Sequence, residues 1–124
     1  MKSLAFVAVA LAAVPATAVP AAALAEDVTA GAATFRQCTA CHAYKSGQPG
    51  VAAPNLVGVV GRKAATTGFS YSAALKASKL TWDKATLDTF LKAPQKLVPG
   101  TRMFISVPDD TTRRNLIAYL ATLK

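Results

Sequence analysis

The reactive side chains of this sequence are concentrated in one short stretch. Its two cysteines and its single histidine fall within five residues, Cys38-Thr39-Ala40-Cys41-His42. This C-x-x-C-H spacing is typical of the attachment site of a c-type haem. The two thiols, one helical turn apart, are placed to form thioethers with the two vinyl groups of one haem. The imidazole that follows them is then an axial ligand of the iron.

Three other uses of a C-x-x-C pair fit the sequence less well. A zinc site ordinarily takes four ligands, and the sequence has no second cluster of cysteine or histidine. A redox dithiol has no use for a histidine directly after the second cysteine and belongs in a βαβ context. A disulfide between Cys38 and Cys41 would close almost no loop and would stabilise little. The pattern therefore predicts one haem c, bound covalently through Cys38 and Cys41.

If His42 is the fifth ligand of the iron, the sixth position is filled by methionine, histidine, lysine, tyrosine or water, or it is vacant. Met103 is the only methionine besides Met1, and Pro99 and Gly100 place it in a loop rather than in a helix. A lone methionine is more often a core side chain, and that packing role is the alternative here. The loop position favours the ligand role, so the predicted iron ligands are His42 and Met103.

The first 25 residues have the features of an export signal. Lys2 gives a short basic start, residues 4–14 form an apolar run too short to span a bilayer, and Ala23-Leu24-Ala25 is an A-x-A cleavage site. We therefore predict a cleaved signal peptide over residues 1–25 and one domain over residues 26–124. Haem is joined to C-x-x-C-H outside the cytoplasmic membrane in bacteria, which predicts a bacterial periplasmic protein. An uncleaved segment that anchors the chain in the membrane is the alternative.

The chain is small and basic, with 124 residues and 14 Lys+Arg against 6 Asp+Glu. Without residues 1–25, which contain only Lys2, 13 basic side chains remain and the balance is +7. Two haem propionates would lower this to about +5. Such a charge steers a protein towards acidic partners, although it can also serve solubility alone. The basic residues are scattered and accompany no nucleic-acid motif. We expect acidic protein partners, no nucleic acid, no stable membrane insertion and a monomer.

Helix signals separated by Gly- and Pro-rich loops predict an all-α fold. The predicted cap residues, in chain order, are Asp27, Ser72, Thr81, and Asp109 or Asp110. The first of the four helices is predicted to run from Val28 into the Cys38 turn, and the second to cover residues 73–77. The third is predicted to cover residues 82–92 and to be stopped by Pro94. The fourth is predicted along the last stretch of the chain. Residues 97–108 are predicted to be irregular. The predicted buried sides are Trp82, Leu87, Phe90 and Leu91 in one helix and Leu116, Ile117, Tyr119 and Leu120 in the last.

Further motifs make the chain resemble the class I cytochromes c, of the bacterial cytochrome c2 and mitochondrial type. After the haem attachment pattern these motifs are Pro54-Asn55-Leu56-Val57-Gly58-Val59-Val60-Gly61-Arg62-Lys63, Gly68-Phe69-Ser70-Tyr71-Ser72, Leu80-Thr81-Trp82, the segment 98–103 and Leu116-Ile117-Ala118-Tyr119-Leu120. The resemblance covers nearly all of residues 26–124. It implies a small fold in which the terminal helices cross and the loops wrap around one covalent haem.

The resemblance also implies roles for individual residues. Met103 would be the sixth ligand, and the carbonyl of Pro54 would accept a hydrogen bond from the non-ligating nitrogen of His42. The residues that would hold a haem propionate are Arg62, Tyr71 and Trp82. The residues that would meet where the terminal helices cross are Gly31 and Phe35 with Leu116 and Tyr119.

Two positions depart from the pattern of this family. Phe90 stands where many relatives have a tyrosine whose hydroxyl bonds the methionine sulfur. Met103 is followed by Phe104-Ile105, whereas the aromatic residue usually comes second. Both departures lie at positions that bear on Met103 ligation and on the shielding of the haem.

The function implied by the resemblance is that of a periplasmic electron carrier with one haem, and not that of an enzyme. It would pass single electrons between respiratory, photosynthetic or dehydrogenase partners, and His/Met ligation would raise its reduction potential. The basic residues expected to dock acidic partners at the haem edge are Lys45, Lys92, Lys96 and Arg102. The alternatives are a haem subunit of a larger dehydrogenase complex, and a haem protein whose labile sixth ligand lets it bind small gases or act as a weak peroxidase.

Overall fold

The computed structural model describes residues 3–5, 8–18 and 25–124, and within that part of the chain the regular structure is helical. The helices are α1 (Val28–Phe35), α2 (Ala73–Ser78), α3 (Lys84–Lys92), α4 (Pro94–Leu97) and α5 (Asp110–Leu120), with a 3₁₀ turn at Cys38–Ala40. The β pairing seen among the described residues is limited to two isolated bridges, His42 with Ala53 and Lys63 with Thr81. The predicted all-α fold is confirmed.

Polar caps begin four of these helices, since each cap side chain accepts a hydrogen bond from a backbone N–H of the first turn. The bonds run from Ala30 N to Asp27 Oδ1 (2.9 Å), from Leu75 N to Ser72 Oγ (3.1 Å), from Thr86 N to Asp83 Oδ1 (2.7 Å) and from Thr112 N to Asp109 Oδ2 (2.7 Å). The predicted caps at Asp27, Ser72 and Asp109 are confirmed.

The predicted cap at Thr81 is wrong, and α3 begins two residues later than predicted. Thr81 lies in the isolated bridge to Lys63, and Trp82 N donates to Arg62 O at 2.8 Å. This pairing keeps both residues extended, so the helix starts only after Asp83, which is the cap. Asp83 and Thr81 both have a side-chain oxygen that can cap a helix. The pairing of residues 81 and 82 with the loop around Arg62 determines that the helix begins after Asp83.

A one-turn helix that the sequence did not predict follows α3. Pro94 ends α3 and also occupies the first turn of α4, where its missing N–H costs no hydrogen bond. Val98 N closes the turn by donating to Pro94 O at 2.9 Å. Helix α4 therefore leads directly into the irregular segment that carries Met103.

The two terminal helices cross at a contact that leaves no room for a side chain at Gly31. A Cβ atom built there would lie 2.6 Å from the carbonyl carbon of Asn115 and 2.9 Å from the Cβ of Tyr119. The rings of Phe35 and Tyr119 pack with their centroids 5.0 Å apart. Leu116 is fully buried in the core beside this crossing. The predicted crossing of α1 with α5 is confirmed.

The core lies between α3, α5 and the loop before α2. Its buried apolar members from these elements, and from the residue pair just before α3, are Val59, Trp82, Leu87, Phe90, Leu91, Leu116, Ile117 and Leu120. Every residue predicted for the buried side of the third helix is buried, including Trp82, which precedes α3. Tyr119 of α5 is only half-buried, whereas Ala118 is buried.

The N-terminal segment has no helix or strand in its described stretches, residues 3–5 and 8–18, and these are exposed. Among the described residues, no helix combines the length and apolar character needed to cross a membrane. Lys2 and the Ala23-Leu24 part of the A-x-A site lie outside the described residues. Cleavage after residue 25 stays a prediction.

Candidate functional site

A cavity of about 370 Å³ lies at the centre of the domain. All eight residues predicted to bind haem line it, namely Cys38, Cys41, His42, Pro54, Arg62, Tyr71, Trp82 and Met103. They come from the 3₁₀ turn, from the loops before α2 and α3, and from the segment after α4. The fold thus brings residues that are far apart in sequence together around one partly open cavity.

His42 is held in the orientation and protonation state of a metal ligand. Its Nδ1 lies 2.6 Å from Pro54 O. Because a carbonyl oxygen can only accept, Nδ1 carries the proton and Nε2 keeps the free lone pair. Burial lowers the pKa of His42 and nearby Arg62 lowers it further, while the bond to Pro54 raises it. The side chain is therefore neutral at pH 7, as an imidazole ligand must be.

The two thiols lie on a tight turn beside that imidazole. The backbone N–H groups of Cys41 and His42 both donate to Cys38 O, at 3.1 and 2.9 Å. Neither cysteine forms a disulfide; Cys38 is half-buried and Cys41 is exposed. Burial raises the pKa of Cys38, so this thiol is protonated at neutral pH, unlike the thiolate of a dithiol oxidoreductase. In the described part of the chain no three His, Cys, Asp or Glu side chains gather as a metal site, so zinc lacks a ligand set.

Met103 reaches the same cavity from a loop. The segment before it is anchored by Val98 and Thr101, which are buried, and by a hydrogen bond from Thr101 N to Val98 O of 3.0 Å. Gly100 takes a φ of +91°, a conformation that favours glycine, and so turns the chain. The Met103 side chain is half-buried, lines the cavity and packs against the core. Both the ligand role and the packing role are compatible with this position.

Three of the predicted haem-binding residues bring hydrogen-bond donors to the cavity lining. The Arg62 guanidinium donates to the carbonyls of Val57 (2.9 Å) and Asn55 (3.0 Å). The hydroxyl of Tyr71 lies 2.5 Å from Thr67 Oγ1. The indole N–H of Trp82 meets no protein acceptor in the described part of the chain. The lining thus includes a cation and two neutral donors, the groups that a carboxylate such as the predicted propionate would need.

These residues fit a haem c. Two thiols, one oriented imidazole and one thioether are the groups that attach and ligate such a haem. Most of the remaining wall is apolar, with Leu56, Val59, Leu75 and Leu120 among its side chains. Protein interiors are packed to the density of organic crystals, so an apolar space of this size in so small a domain calls for an apolar occupant.

The four predicted docking residues do not all line the cavity. Lys45, Lys96 and Arg102 are exposed, and Arg102 also lines the cavity and donates to Ser70 O at 2.5 Å. Lys92 lies instead along a second, charged groove between α3 and α5, with its Nζ 4.0 Å from an Asp110 carboxylate oxygen.

The acidic residues are separated from the haem cavity. Asp27, Asp83 and Asp109 are helix caps. The remaining acidic residues, Glu26, Asp88 and Asp110, line the charged groove. No acidic side chain of the described residues lines the haem cavity. The charged side chains that line the cavity are therefore both basic, Arg62 and Arg102.

Arg113 is a buried ionic residue that the sequence analysis missed. Only 2% of it is exposed, and it bonds Asp88 and Asp110, each at 2.6 Å. Its Nη1 donates to the carbonyls of Val107 and Pro108 at 3.0 and 3.1 Å. It thereby ties α3 and α5 to the loop after Met103. Its position three residues before Leu116, on the buried stripe of the last helix, is the sequence signal that could have revealed it.

Gln95 is a second residue that the sequence analysis missed. Its side-chain amide bonds the backbone on both sides of Arg102. Its exposed position in the short helix α4 carries no sequence signal of this contact.

Comparisons with known proteins agree on one family. The model of the family described as cytochrome c matches residues 28–124. Cytochrome c2 of Rhodoblastus acidophilus is 46% identical over 102 residues, which cover 81% of this chain and 95% of the relative. Cytochrome c of Tetrahymena pyriformis is 48% identical over 99 residues, which cover 78% of this chain and 89% of the relative. Among solved structures, cytochrome cH from Methylobacterium extorquens is similar with a TM-score of 0.73 and 43% identity, covering 77% of this chain and 98% of that one.

Proposed function

This chain belongs to the cytochrome c family, and on that premise we propose that it is a periplasmic single-electron carrier with one haem c. The observation that carries the proposal is the meeting of Cys38, Cys41, His42 and Met103 in one cavity. When bound, haem supplies an iron that accepts and releases one electron. The protein residues attach it, orient it and shield it.

Each residue of the cavity has a defined part in this proposal. Cys38 and Cys41 would hold the haem through thioethers, so that it could not dissociate. His42 would present Nε2 to the iron, because Pro54 fixes its other nitrogen. Met103 would supply a thioether, which stabilises the reduced iron and raises the potential. If His42 and Met103 both bound the iron, no position would remain for a substrate, which supports a carrier and not an enzyme.

A redox titration of the purified protein tests this role. We expect reversible reduction and oxidation that follow a one-electron Nernst curve, because one iron with two protein ligands exchanges a single electron. The ferrous protein should not bind carbon monoxide, since Met103 occupies the sixth position. Rapid carbon monoxide binding by the unmodified protein would contradict the proposal and support a haem protein with a labile ligand.

Export is the part of the proposal that rests on the sequence alone. The predicted signal over residues 1–25 would carry the chain to the periplasm, where haem attachment to C-x-x-C-H takes place in bacteria. Cleavage would release a small domain that diffuses between its partners. Copurification with a dehydrogenase would point instead to a fixed subunit of a larger complex.

The surface around the cavity is proposed to dock acidic redox proteins. Arg102 lines the cavity, Lys45 and Lys96 are exposed and lie close in sequence to the ligand-bearing segments, and no described acidic side chain lines the cavity. Opposite charges raise encounter rates, and salt screens the effect over about 10 Å at 0.1 M. Lys92 contributes less in this arrangement because Asp110 lies beside it.

Charge reversal tests the docking surface. The variant Lys45→Glu with Lys96→Glu is expected to slow electron transfer to an acidic partner about tenfold or more at low salt. Arg102 is left unchanged, because its hydrogen bond to Ser70 O would be lost together with its charge. The matched control, Lys76→Glu with Lys79→Glu on and after α2, makes the same change in net charge and should slow transfer less.

Stopped-flow rates measured at several ionic strengths give the comparison. Equal rates in the two double variants, or rates that ignore salt, would show that only net charge matters and that no docking surface exists there.

A further inference from the structure

One side chain of α4 holds the backbone of the segment that presents Met103. The amide nitrogen Nε2 of Gln95 lies 2.5 Å from Thr101 O and 3.3 Å from Met103 O. Both partners are carbonyl oxygens, so the amide must turn its two N–H donors towards them. Gln95 therefore bonds the chain on both sides of Arg102.

Few other contacts restrain the backbone of Met103. Its N–H reaches Thr101 Oγ1 only at 3.4 Å. The next firm backbone bond is from Val107 N to Leu91 O, at 2.7 Å. Between these points Phe104 and Ile105 are 78% and 47% exposed, and the described backbone of residues 104–106 makes no hydrogen bond. The bond from Gln95 is thus the main polar restraint on the Met103 carbonyl.

The backbone of Gln95 is itself well anchored. It follows Pro94, which is buried and has a fixed φ, and it precedes Leu97, which packs against the core. Val98, directly after α4, is 3% exposed. The amide therefore reaches Thr101 and Met103 from a rigid part of the molecule.

We propose that Gln95 is a positioning residue for the sixth ligand. By holding the backbone on both sides of Arg102, it keeps the Met103 thioether in the cavity and sets how readily another ligand displaces it. The inference rests on the proposed function, since it concerns Met103 as an iron ligand. Gln95 has no contact with the cavity in the described structure, so its action is through the backbone of Met103.

Two substitutions at Gln95 separate the loss of the hydrogen bonds from added repulsion. Gln95→Ala removes both bonds. Gln95→Glu keeps the size and shape of the side chain but replaces the two N–H donors with a carboxylate oxygen that faces two carbonyl oxygens. The matched control is Gln48→Glu, which makes the same charge change on an exposed loop residue whose side chain makes no hydrogen bond in the described part of the chain.

The test is a titration of the ferric holoprotein with imidazole, an external ligand that competes with Met103. Loss of the weak long-wavelength band of methionine-ligated ferric haem reports the exchange. We expect Gln95→Ala to bind imidazole about tenfold more tightly than the unmodified protein, the factor that one hydrogen bond of ordinary strength corresponds to. Gln95→Glu should bind it more tightly still, and Gln48→Glu should match the unmodified protein.

Two further measurements distinguish positioning from general stability. Amide hydrogen exchange of residues 98–107 should be faster in both Gln95 variants, while the urea midpoint for global unfolding should stay close to that of Gln48→Glu. Imidazole affinities equal to that of the control would overturn the proposal. The proposal would also be overturned if the variants bound imidazole more tightly only in proportion to a lower urea midpoint, because general destabilisation would then explain the exchange. If the unmodified protein lacks the long-wavelength band altogether, the proposed function fails instead.

Discussion

Replacing Met103 with alanine is expected to abolish the long-wavelength absorption band of the ferric protein and to open the ferrous protein to carbon monoxide. The residue lines the cavity that also holds His42 and both thiols, and it is the only methionine outside the predicted signal segment. Its loss should also lower the reduction potential, because a thioether stabilises the reduced iron. Optical spectra of both redox states, with and without carbon monoxide, and a redox titration measure all three effects.

A control for lost packing is available at Leu75. This residue is also half-buried, lines the same cavity and packs against the same core. Leu75→Ala removes a comparable apolar volume but no sulfur, so it should keep the band and exclude carbon monoxide. If Met103→Ala keeps the band, or if both variants lose it equally, Met103 is a packing residue and not the ligand.

A single methyl group at Gly31 is expected to destabilise the domain by about 3 kcal/mol, the upper end of the usual cost of overpacking. The added Cβ would lie 2.6 Å from the Asn115 carbonyl carbon and 2.9 Å from Tyr119 Cβ. Neither atom is the end of a flexible side chain, so α1 and α5 would have to move apart. Urea unfolding of Gly31→Ala, followed by helical circular dichroism, gives the free energy of unfolding.

Gly68→Ala is the matched control for this prediction. No atom lies within 4 Å of a Cβ built at Gly68, and its φ is not positive. The same substitution should therefore be neutral or slightly stabilising there, because alanine restricts the unfolded chain. Equal stability in the two variants would show that the helix crossing has room at Gly31 and that the described contact is not tight.

The local parts of the fold were predictable because short-range chemistry determines them. Asp27, Ser72 and Asp109 each accept a bond from a backbone N–H three residues later, within one helical turn. Thr81 failed because a residue far along the chain, Lys63, pairs with it and keeps it extended. Cap signals alone contain no information about such tertiary pairing.

The haem attachment motif was predictable for a similar reason. The residues that hold the neighbouring backbone in place, Arg113 and Gln95, were not. Cys38, Cys41 and His42 lie in one five-residue pattern, and Met103 is the only methionine after residue 25. Arg113 and Gln95 act through backbone carbonyls of other segments, at Val107 and Met103. Any residue has such a carbonyl, so no sequence pattern marks the partner, and only the folded chain shows the contact.

Covalent attachment of one haem can be tested by intact-mass spectrometry of the denatured protein, purified from the periplasm of cells that express the full chain. We expect the mass of residues 26–124 plus one haem, because Cys38 and Cys41 would hold the haem through thioethers that survive unfolding. A mass equal to the polypeptide alone, with both thiols free, would contradict it.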